Sequence, residues 1–105
     1  MKSREDTVSF NNFISGDNVL VQFSAPWCGP CKVLTSVLDG ISQNDENVTI
    51  AKVDIDSLSD VASKYGIRAV PTLIYFNNGK ESGRTMGAKP AAKVKEFIKT
   101  NYESK

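Results

Sequence analysis

Residues 25–32 contain both cysteines of the chain and read Ala25-Pro26-Trp27-Cys28-Gly29-Pro30-Cys31-Lys32. The segment follows an apolar run and precedes an amphipathic stretch, so the two thiols lie where a predicted strand passes into a predicted helix. Residues three apart share one side of a helical turn. At this spacing the Cα atoms can reach disulfide geometry, which needs a separation of roughly 4.4–6.8 Å. The pattern indicates two thiols placed for chemistry rather than for packing.

Size and composition narrow the classes of protein that the chain can be. Its 105 residues predict one domain spanning residues 1–105. Thirteen basic and twelve acidic side chains leave a net charge of +1, which does not favour a nucleic-acid or membrane surface. The polar residues 1–6 lead into no apolar segment, so the sequence predicts no signal peptide and a cytoplasmic location. There, a close cysteine pair is more often catalytic or metal-binding than a structural disulfide.

Hydrophobic periodicity predicts alternating helices and strands. Apolar residues at helical spacing lie within residues 8–14, 33–41, 58–65 and 91–98, and buried strands are predicted over residues 19–23, 48–55 and 72–76. The pair Asn78-Gly79 is a strong hairpin signal, so the chain should return antiparallel as far as about Met86. Three residues are predicted to mark helix ends. These are Ser57, paired with Asp60 at an N-cap, Gly66 at a C-terminal cap and Pro90 in a first turn.

This order of elements predicts an α/β fold with a mixed central sheet. Strands that alternate with helices pair in parallel through right-handed crossovers. The hairpin would add an antiparallel edge to this parallel core, and helices would cover both faces of the sheet.

The cysteine pair suits thiol–disulfide exchange, in which only a thiolate attacks. At the predicted helix N-terminus, unpaired amide N–H groups and the helix dipole favour the thiolate form of Cys28. We therefore expect Cys28 to attack and Cys31, one turn inside and more shielded, to resolve the mixed disulfide. The chain has no histidine, so the helix and its neighbours must supply the activation. Pro30 lets the helix begin inside the motif, and Gly29 leaves room for a substrate backbone.

Two other uses of the cysteines can be weighed against this one. A structural disulfide closing so short a loop gains little from loop-closure entropy. A zinc site needs two further ligands, and the chain has no other cysteine or histidine. A four-cysteine zinc or iron–sulfur site shared across a dimer stays open, but we predict no metal and a monomer.

Several blocks of the sequence resemble the thioredoxin family in order and approximate spacing from about residue 19 to the C-terminus. They are residues 27–32, 51–54, 65–68, 70–73, 78–79 and 86–88. The resemblance implies a thioredoxin fold and a general protein-disulfide reductase with no bound cofactor. It also implies a separate flavin-dependent thioredoxin reductase that supplies electrons from NADPH, and the same roles for Cys28 and Cys31. A thioredoxin-like binding subunit, with redox activity secondary, is the alternative.

The resemblance further implies an apolar docking surface for disulfide-containing proteins. Its residues are Trp27, Gly29, Pro30, Val70, Pro71, Gly87 and Ala88. A cis bond at Pro71 would place Val70 beside the cysteines, with its backbone free to pair with an extended substrate. On residue type alone, Trp27 and Met86 could instead be core residues, and Pro71 an ordinary proline at a strand start. Related oxidases and isomerases carry histidine where this chain has Pro30, so a reductant is favoured.

One departure from the family pattern concerns the proton of Cys31. Relatives usually carry a buried Asp where this chain has Gln22, and that carboxylate can accept the proton. Gln22 cannot, so we expect water to take the proton and resolution to be slower. Lys52, which usually lies near that Asp, would lose its partner. The competing interpretation is a neutral replacement that removes a costly buried charge and raises stability.

Overall fold

The computed structural model describes residues 2–4, 7–45 and 47–103. Residues 1, 5 and 6 of the polar N-terminal segment lie outside them. The elements, in chain order, are β1 (Lys2–Arg4), α1 (Thr7–Ile14), β2 (Val19–Ser24), α2 (Gly29–Asn44), β3 (Thr49–Asp54), α3 (Ser59–Lys64), β4 (Thr72–Asn77), β5 (Lys80–Met86) and α4 (Ala91–Asn101). No helix within the described ranges has the length and apolar character that crossing a bilayer requires.

The strands form one mixed sheet in the order β1-β3-β2-β4-β5. Strands β1 and β2 pair in parallel with β3, and β4 pairs antiparallel with both β2 and β5. The mixed α/β class and the hairpin are confirmed. The sequence reading missed β1, which has only three residues and therefore no measurable periodicity.

The hairpin β4-β5 forms the antiparallel edge beside the parallel core of β1, β3 and β2, as predicted. Helix α3 has six residues and is about 9 Å long. A six-residue strand such as β3 is about 20 Å long. Helix α3 thus covers less than half the length of β3, and β4 starts near the end of β3 and runs in the opposite direction.

The sheet separates two hydrophobic cores, as the predicted helices on both faces require. One core is rich in aromatic residues and lies under α1 and α3, where Phe10 packs within about 6 Å of Phe23, Tyr65 and Phe76 between ring centroids. The other is mostly aliphatic and lies under α2 and α4, around Leu34. Because strand side chains alternate between faces, Leu20 faces α2 whereas its neighbours in β2 face α1 and α3.

The predicted turns and helix ends are confirmed at some positions and wrong at others. Asn78 and Gly79 adopt positive φ values of 53° and 82°, as the hairpin prediction requires, and Gly66 has φ +64° just after α3. The predicted Ser57–Asp60 capping pair is wrong, since α3 begins at Ser59 behind a buried Leu58 with no side-chain cap. Helix α2 runs unbroken to Asn44, but Val33, predicted on its buried face, is 62% exposed. Pro90 is the N-cap of α4 rather than part of its first turn.

Candidate active site

Cys28 occupies the N-cap of α2, where the predicted strand-to-helix transition takes place. Its backbone N–H closes a turn to the Ala25 carbonyl at 3.1 Å. Its sulfur accepts the Cys31 backbone N–H at 3.2 Å. Pro30 sits in the first turn, where its missing N–H leaves no donor unsatisfied. The Cys28 sulfur therefore lies at the positive end of a 16-residue helix and accepts one of its unpaired amides.

The two cysteines are joined in a disulfide with a Cα–Cα separation of 5.3 Å. In this state Cys28 is 4% and Cys31 2% exposed, so the expected difference in shielding is small. Ala25 packs with the two cysteines, and Ile55 and Val70 cover the cluster from other loops. Within residues 2–4, 7–45 and 47–103, no three side chains of histidine, cysteine, aspartate or glutamate group as metal ligands would.

Several residues predicted for the docking surface meet beside the disulfide. The Val70–Pro71 peptide bond is cis, and Val70 packs against the cysteine cluster. The Gly87 N–H donates to the Pro71 carbonyl at 2.9 Å, and Gly87 has φ +89°. The loop after β5 is thereby held to the loop before β4. Ala88, exposed beside Gly87, lines a separate groove against α4.

Trp27 is a surface residue with 69% of its area exposed, so the core alternative is wrong. Met86 is likewise 60% exposed. The Trp27 Nε1–H donates to Asp56 Oδ2 at 3.2 Å, which holds the ring over the loop after β3. Trp27 thus presents a large apolar area next to the cysteine motif, as a docking surface requires.

Gln22 is fully buried between β2 and α2, and its amide is bonded at both ends. Its Nε2 donates to the Cys31 carbonyl at 3.0 Å, and its Oε1 accepts the Thr35 hydroxyl at 3.0 Å. An unpaired buried amide would cost about 1–3 kcal/mol, so these bonds make the buried position tolerable. Gln22 thereby fixes the first two turns of α2 against the sheet and directs its bonds away from the Cys31 proton.

Gln22 belongs to a group of four polar residues on neighbouring strands that we call the polar strip. It consists of Gln22 and Ser24 on β2, opposite Lys52 and Asp54 on β3. The last three border a cavity of about 220 Å³ that also reaches Cys31. Lys52 is half-buried. Gln22 gives it no carboxylate partner, but Lys52 borders this cavity together with Asp54.

The sequence reading missed Thr35, Asp54 and Asp56. Two of them carried a usable signal, since Cys31 and Thr35 are four apart on one helical face. Similarly, Lys52 and Asp54 are two apart on one strand face. The contact between Trp27 and Asp56 joins two loops that follow different strands, so no local sequence pattern could predict it.

Known proteins resemble this chain in sequence and in structure. The family model described as Thioredoxin matches residues 2–100. Thioredoxin of Echinococcus granulosus is 47% identical over 89 residues, covering 84% of this chain and 82% of that protein. Thioredoxin-1 of Saccharomyces cerevisiae is 42% identical over 93 residues, covering 88% and 89%. A structure of Plasmodium falciparum thioredoxin superposes with a TM-score of 0.89 at 31% identity, covering 95% of this chain and 98% of that one.

Proposed function

The chain belongs to the thioredoxin family of disulfide oxidoreductases, and we propose that Cys28 is its attacking thiolate and Cys31 its resolving thiol. The observation that carries this assignment is the hydrogen bond from the Cys31 N–H to the Cys28 sulfur. A sulfur that accepts a helix N-terminal amide is favoured as an anion, and Cys31, inside the first turn, supplies that amide to Cys28.

The reaction then takes two exchanges. The Cys28 thiolate attacks one sulfur of a substrate disulfide, and the other substrate sulfur leaves with the electron pair. Cys31 loses its proton and attacks Cys28 in the mixed disulfide, which releases the second substrate thiol and forms the Cys28–Cys31 bond. Two electrons pass from the dithiol to the substrate, and the product is the oxidised form described above.

Substrate docking is assigned to residues beside the disulfide and in the loops before β4 and after β5. Trp27, Gly87 and Ala88 offer an exposed, uncharged surface, and the half-buried Val70, next to the buried Pro71, offers its backbone beside the cysteine cluster. A disulfide-bearing segment could add there as a short strand, which reads backbone rather than sequence. Such docking suits many protein substrates. Gly29 and Pro30 keep the turn open, and Gln22 and Lys52 tune the surroundings of Cys31.

The electrons are proposed to come from NADPH through a separate flavin-dependent thioredoxin reductase. The chain would act as a monomer with no bound cofactor, in the cytoplasm, where the thiol pool is kept reduced. We also propose that residues 1–105 form one domain, because the family model matches residues 2–100.

Insulin reduction driven by NADPH and thioredoxin reductase tests these roles. Cys28→Ser should abolish turnover, while Cys31→Ser should trap a covalent adduct with the substrate through Cys28. Trp27→Ala should raise the KM for insulin several-fold with little change in the cysteine chemistry. Tyr102→Ala, which removes another exposed aromatic side chain, is its matched control. An adduct trapped in Cys28→Ser instead would reverse the two roles.

A further inference from the structure

The resolving step needs a proton acceptor that the cysteine motif itself does not supply. In the disulfide form Cys31 is 2% exposed, so its sulfur has little direct contact with bulk water. Gln22, its buried neighbour, is engaged with the Cys31 carbonyl and the Thr35 hydroxyl and cannot take a proton. The chain has no histidine. The acceptor must therefore be sought among the other groups around Cys31.

The cavity beside Cys31 connects it to one carboxylate. Both Cys31 and Asp54 border the cavity, together with Ser24, Thr35 and Lys52. Its volume is about 220 Å³, and roughly 10–15 Å³ is enough to admit one water molecule. Hydroxyl, carboxylate and ammonium groups on its wall give such waters the polar partners they need. A hydrogen-bonded water path from Cys31 to Asp54 therefore fits the available space.

Asp54 is oriented and surrounded in a way that suits a base. Its Oδ1 accepts the Asp56 N–H at 2.8 Å, which fixes the carboxylate at the end of β3. Lys52 of β3 and Lys32 of α2 border the same cavity, so Asp54 shares it with two cationic side chains. Asp56 is the other acidic side chain nearby, and its carboxylate is turned to the Trp27 indole. From β2 the neighbour is Ser24, which is uncharged.

We propose that Asp54, acting through water in this cavity, accepts the proton of Cys31 during resolution. As the Cys31 sulfur bonds to Cys28, its proton passes to a water molecule and that water gives a proton to the Asp54 carboxylate. The bond between Cys28 and the substrate breaks, and its electron pair leaves on the substrate sulfur. Asp54 then returns its proton to solvent. The inference rests on the proposed role of Cys31, and it replaces unaided water as the acceptor.

Stopped-flow reduction of 5,5′-dithiobis(2-nitrobenzoate) by the reduced protein tests this. Each exchange releases one coloured thiolate, so attack by Cys28 and resolution by Cys31 appear as separate phases. Asp54→Asn should leave the first phase unchanged and slow the second by about tenfold to a hundredfold. The amide oxygen can still accept the Asp56 N–H, so the turn is retained.

The pH profile separates lost proton transfer from a structural effect. With Asp54 as the proton acceptor, the second phase should be nearly flat around neutrality. In Asp54→Asn it should rise by about tenfold per pH unit, because Cys31 must then ionise unaided. Asp45→Asn is the matched control, since Asp45 accepts the Asn47 N–H at 2.9 Å in the same i to i+2 geometry but lies at the far end of α2. It should change neither phase.

Each other outcome is decisive. An Asp54→Asn protein with an unchanged second phase and profile would overturn the proposal. So would a variant in which both phases slow together, because that indicates a general disturbance of the site. If the unmodified protein gave no first phase, or Cys31→Ser formed no adduct, the cysteine roles themselves would fail, independently of Asp54.

Discussion

Asn18 and Gln22 are both buried amides on the same stretch of chain, yet their surroundings differ. The Asn18 side chain is enclosed by protein groups at the end of the sheet remote from the cysteines. It donates to the Glu103 carbonyl at 2.9 Å and accepts from the Tyr75 hydroxyl at 2.8 Å and the Glu103 N–H at 2.9 Å. Gln22 is equally satisfied, but it belongs to the polar strip beside a cavity and a reactive sulfur.

The difference separates a polar group that fixes structure from one that borders a site. Around Asn18 every recorded bond ends on another part of the fold, including the Asn18 N–H to Asn77 Oδ1 at 2.8 Å, so the network ties the C-terminal segment to β2 and β4. Around Gln22 the bonds hold the backbone of α2 while the cavity leaves room for waters. Enclosed networks of this kind contribute stability, whereas the open one supports proton movement.

Removing the Asn18 side chain should have the largest effect on stability. Asn18→Ala removes the oxygen that accepts from the Tyr75 hydroxyl and from the Glu103 N–H. It also places an alanine at φ +52°, in the left-handed region. We expect a loss of about 2–4 kcal/mol in the free energy of unfolding, measured by urea denaturation. Disulfide reduction by the folded protein should be unchanged.

Asn18→Gly separates the network from the backbone conformation. Glycine accepts a positive φ at little cost, so this variant should be more stable than Asn18→Ala by about 1 kcal/mol while still losing the hydrogen bonds. A urea midpoint for Asn18→Ala equal to that of the unmodified protein would show that the network contributes little.

Placing an acid at the other amide should cost less overall but change with pH. Gln22→Asp shortens the side chain by one methylene and removes the donor to the Cys31 carbonyl. We expect a loss of about 1–3 kcal/mol, since a buried hydrogen bond goes and a carboxyl group enters the core. Burial raises a carboxyl pKa, so the loss should grow as pH rises from about 4 through the raised folded value.

Gln22→Asn is the matched control for that variant, because it has the length of Asp and no ionisable group. Its loss of stability should not vary with pH. Equal or higher denaturation midpoints for Gln22→Asp than for the unmodified protein would contradict the view that the neutral amide stabilises this position. Single-turnover reduction by the same pair would show whether an acid at residue 22 speeds resolution.

The two amides also show how far the sequence could predict this molecule. The motif at Cys28 and Cys31, the hairpin at Asn78 and the helix periodicities are local patterns, and the structure confirms their positions, although Val33 lies outside the buried face predicted for it. Gln22 could be singled out because it breaks a family pattern. Asn18 gave no such sign, since its partners Tyr75 and Glu103 are distant in sequence and meet only once the sheet has formed.

The same limit explains the candidate site. The sequence places the sulfurs, because their geometry depends on one helix turn. The cavity depends on the parallel register of β2 with β3 and on the packing of α2 above them, with Gln22 opposite Lys52 and Ser24 opposite Asp54. The sequence did predict the antiparallel edge, because the hairpin signal at Asn78 and Gly79 is local, but the strand order β1-β3-β2-β4-β5 depends on contacts that periodicity does not report.

The hydrogen-bond network around Asn18 should also make the free energy of unfolding depend on pH in the alkaline range. Burial raises the pKa of the Tyr75 hydroxyl to about 12, with smaller contributions from Tyr102, Asp45 and Glu103. The ordinary value is about 10. The unfolded chain therefore loses this proton first, and the stabilisation, fully present below about pH 10, is lost as pH rises through about 12.

Tyr75→Phe removes this titration together with one hydrogen bond. The expected loss near neutral pH is about 0.5–1.5 kcal/mol, because Asn18 Oδ1 still accepts from the Glu103 N–H. Above pH 10 the difference between the two proteins should shrink, as followed by urea denaturation and tyrosinate absorbance. A constant difference across that range would show that Tyr75 ionises equally well in both states.

The smallest effect on stability is expected for a partly exposed ion pair that contacts neither Asn18 nor Gln22. Arg84 Nε lies 2.7 Å from Glu81 Oε2, with about a third of each side chain exposed. The hydrogen bond from Arg84 lowers the pKa of the Glu81 carboxyl, so its contribution is present above about pH 4.5 and is lost as pH falls through the lowered value. Glu81→Gln should cost only about 0.2–1 kcal/mol at neutral pH, less in high salt and nothing at low pH. If urea denaturation showed it to match Asn18→Ala, enclosure would not be what separates the strong polar contacts of this fold from the weak ones.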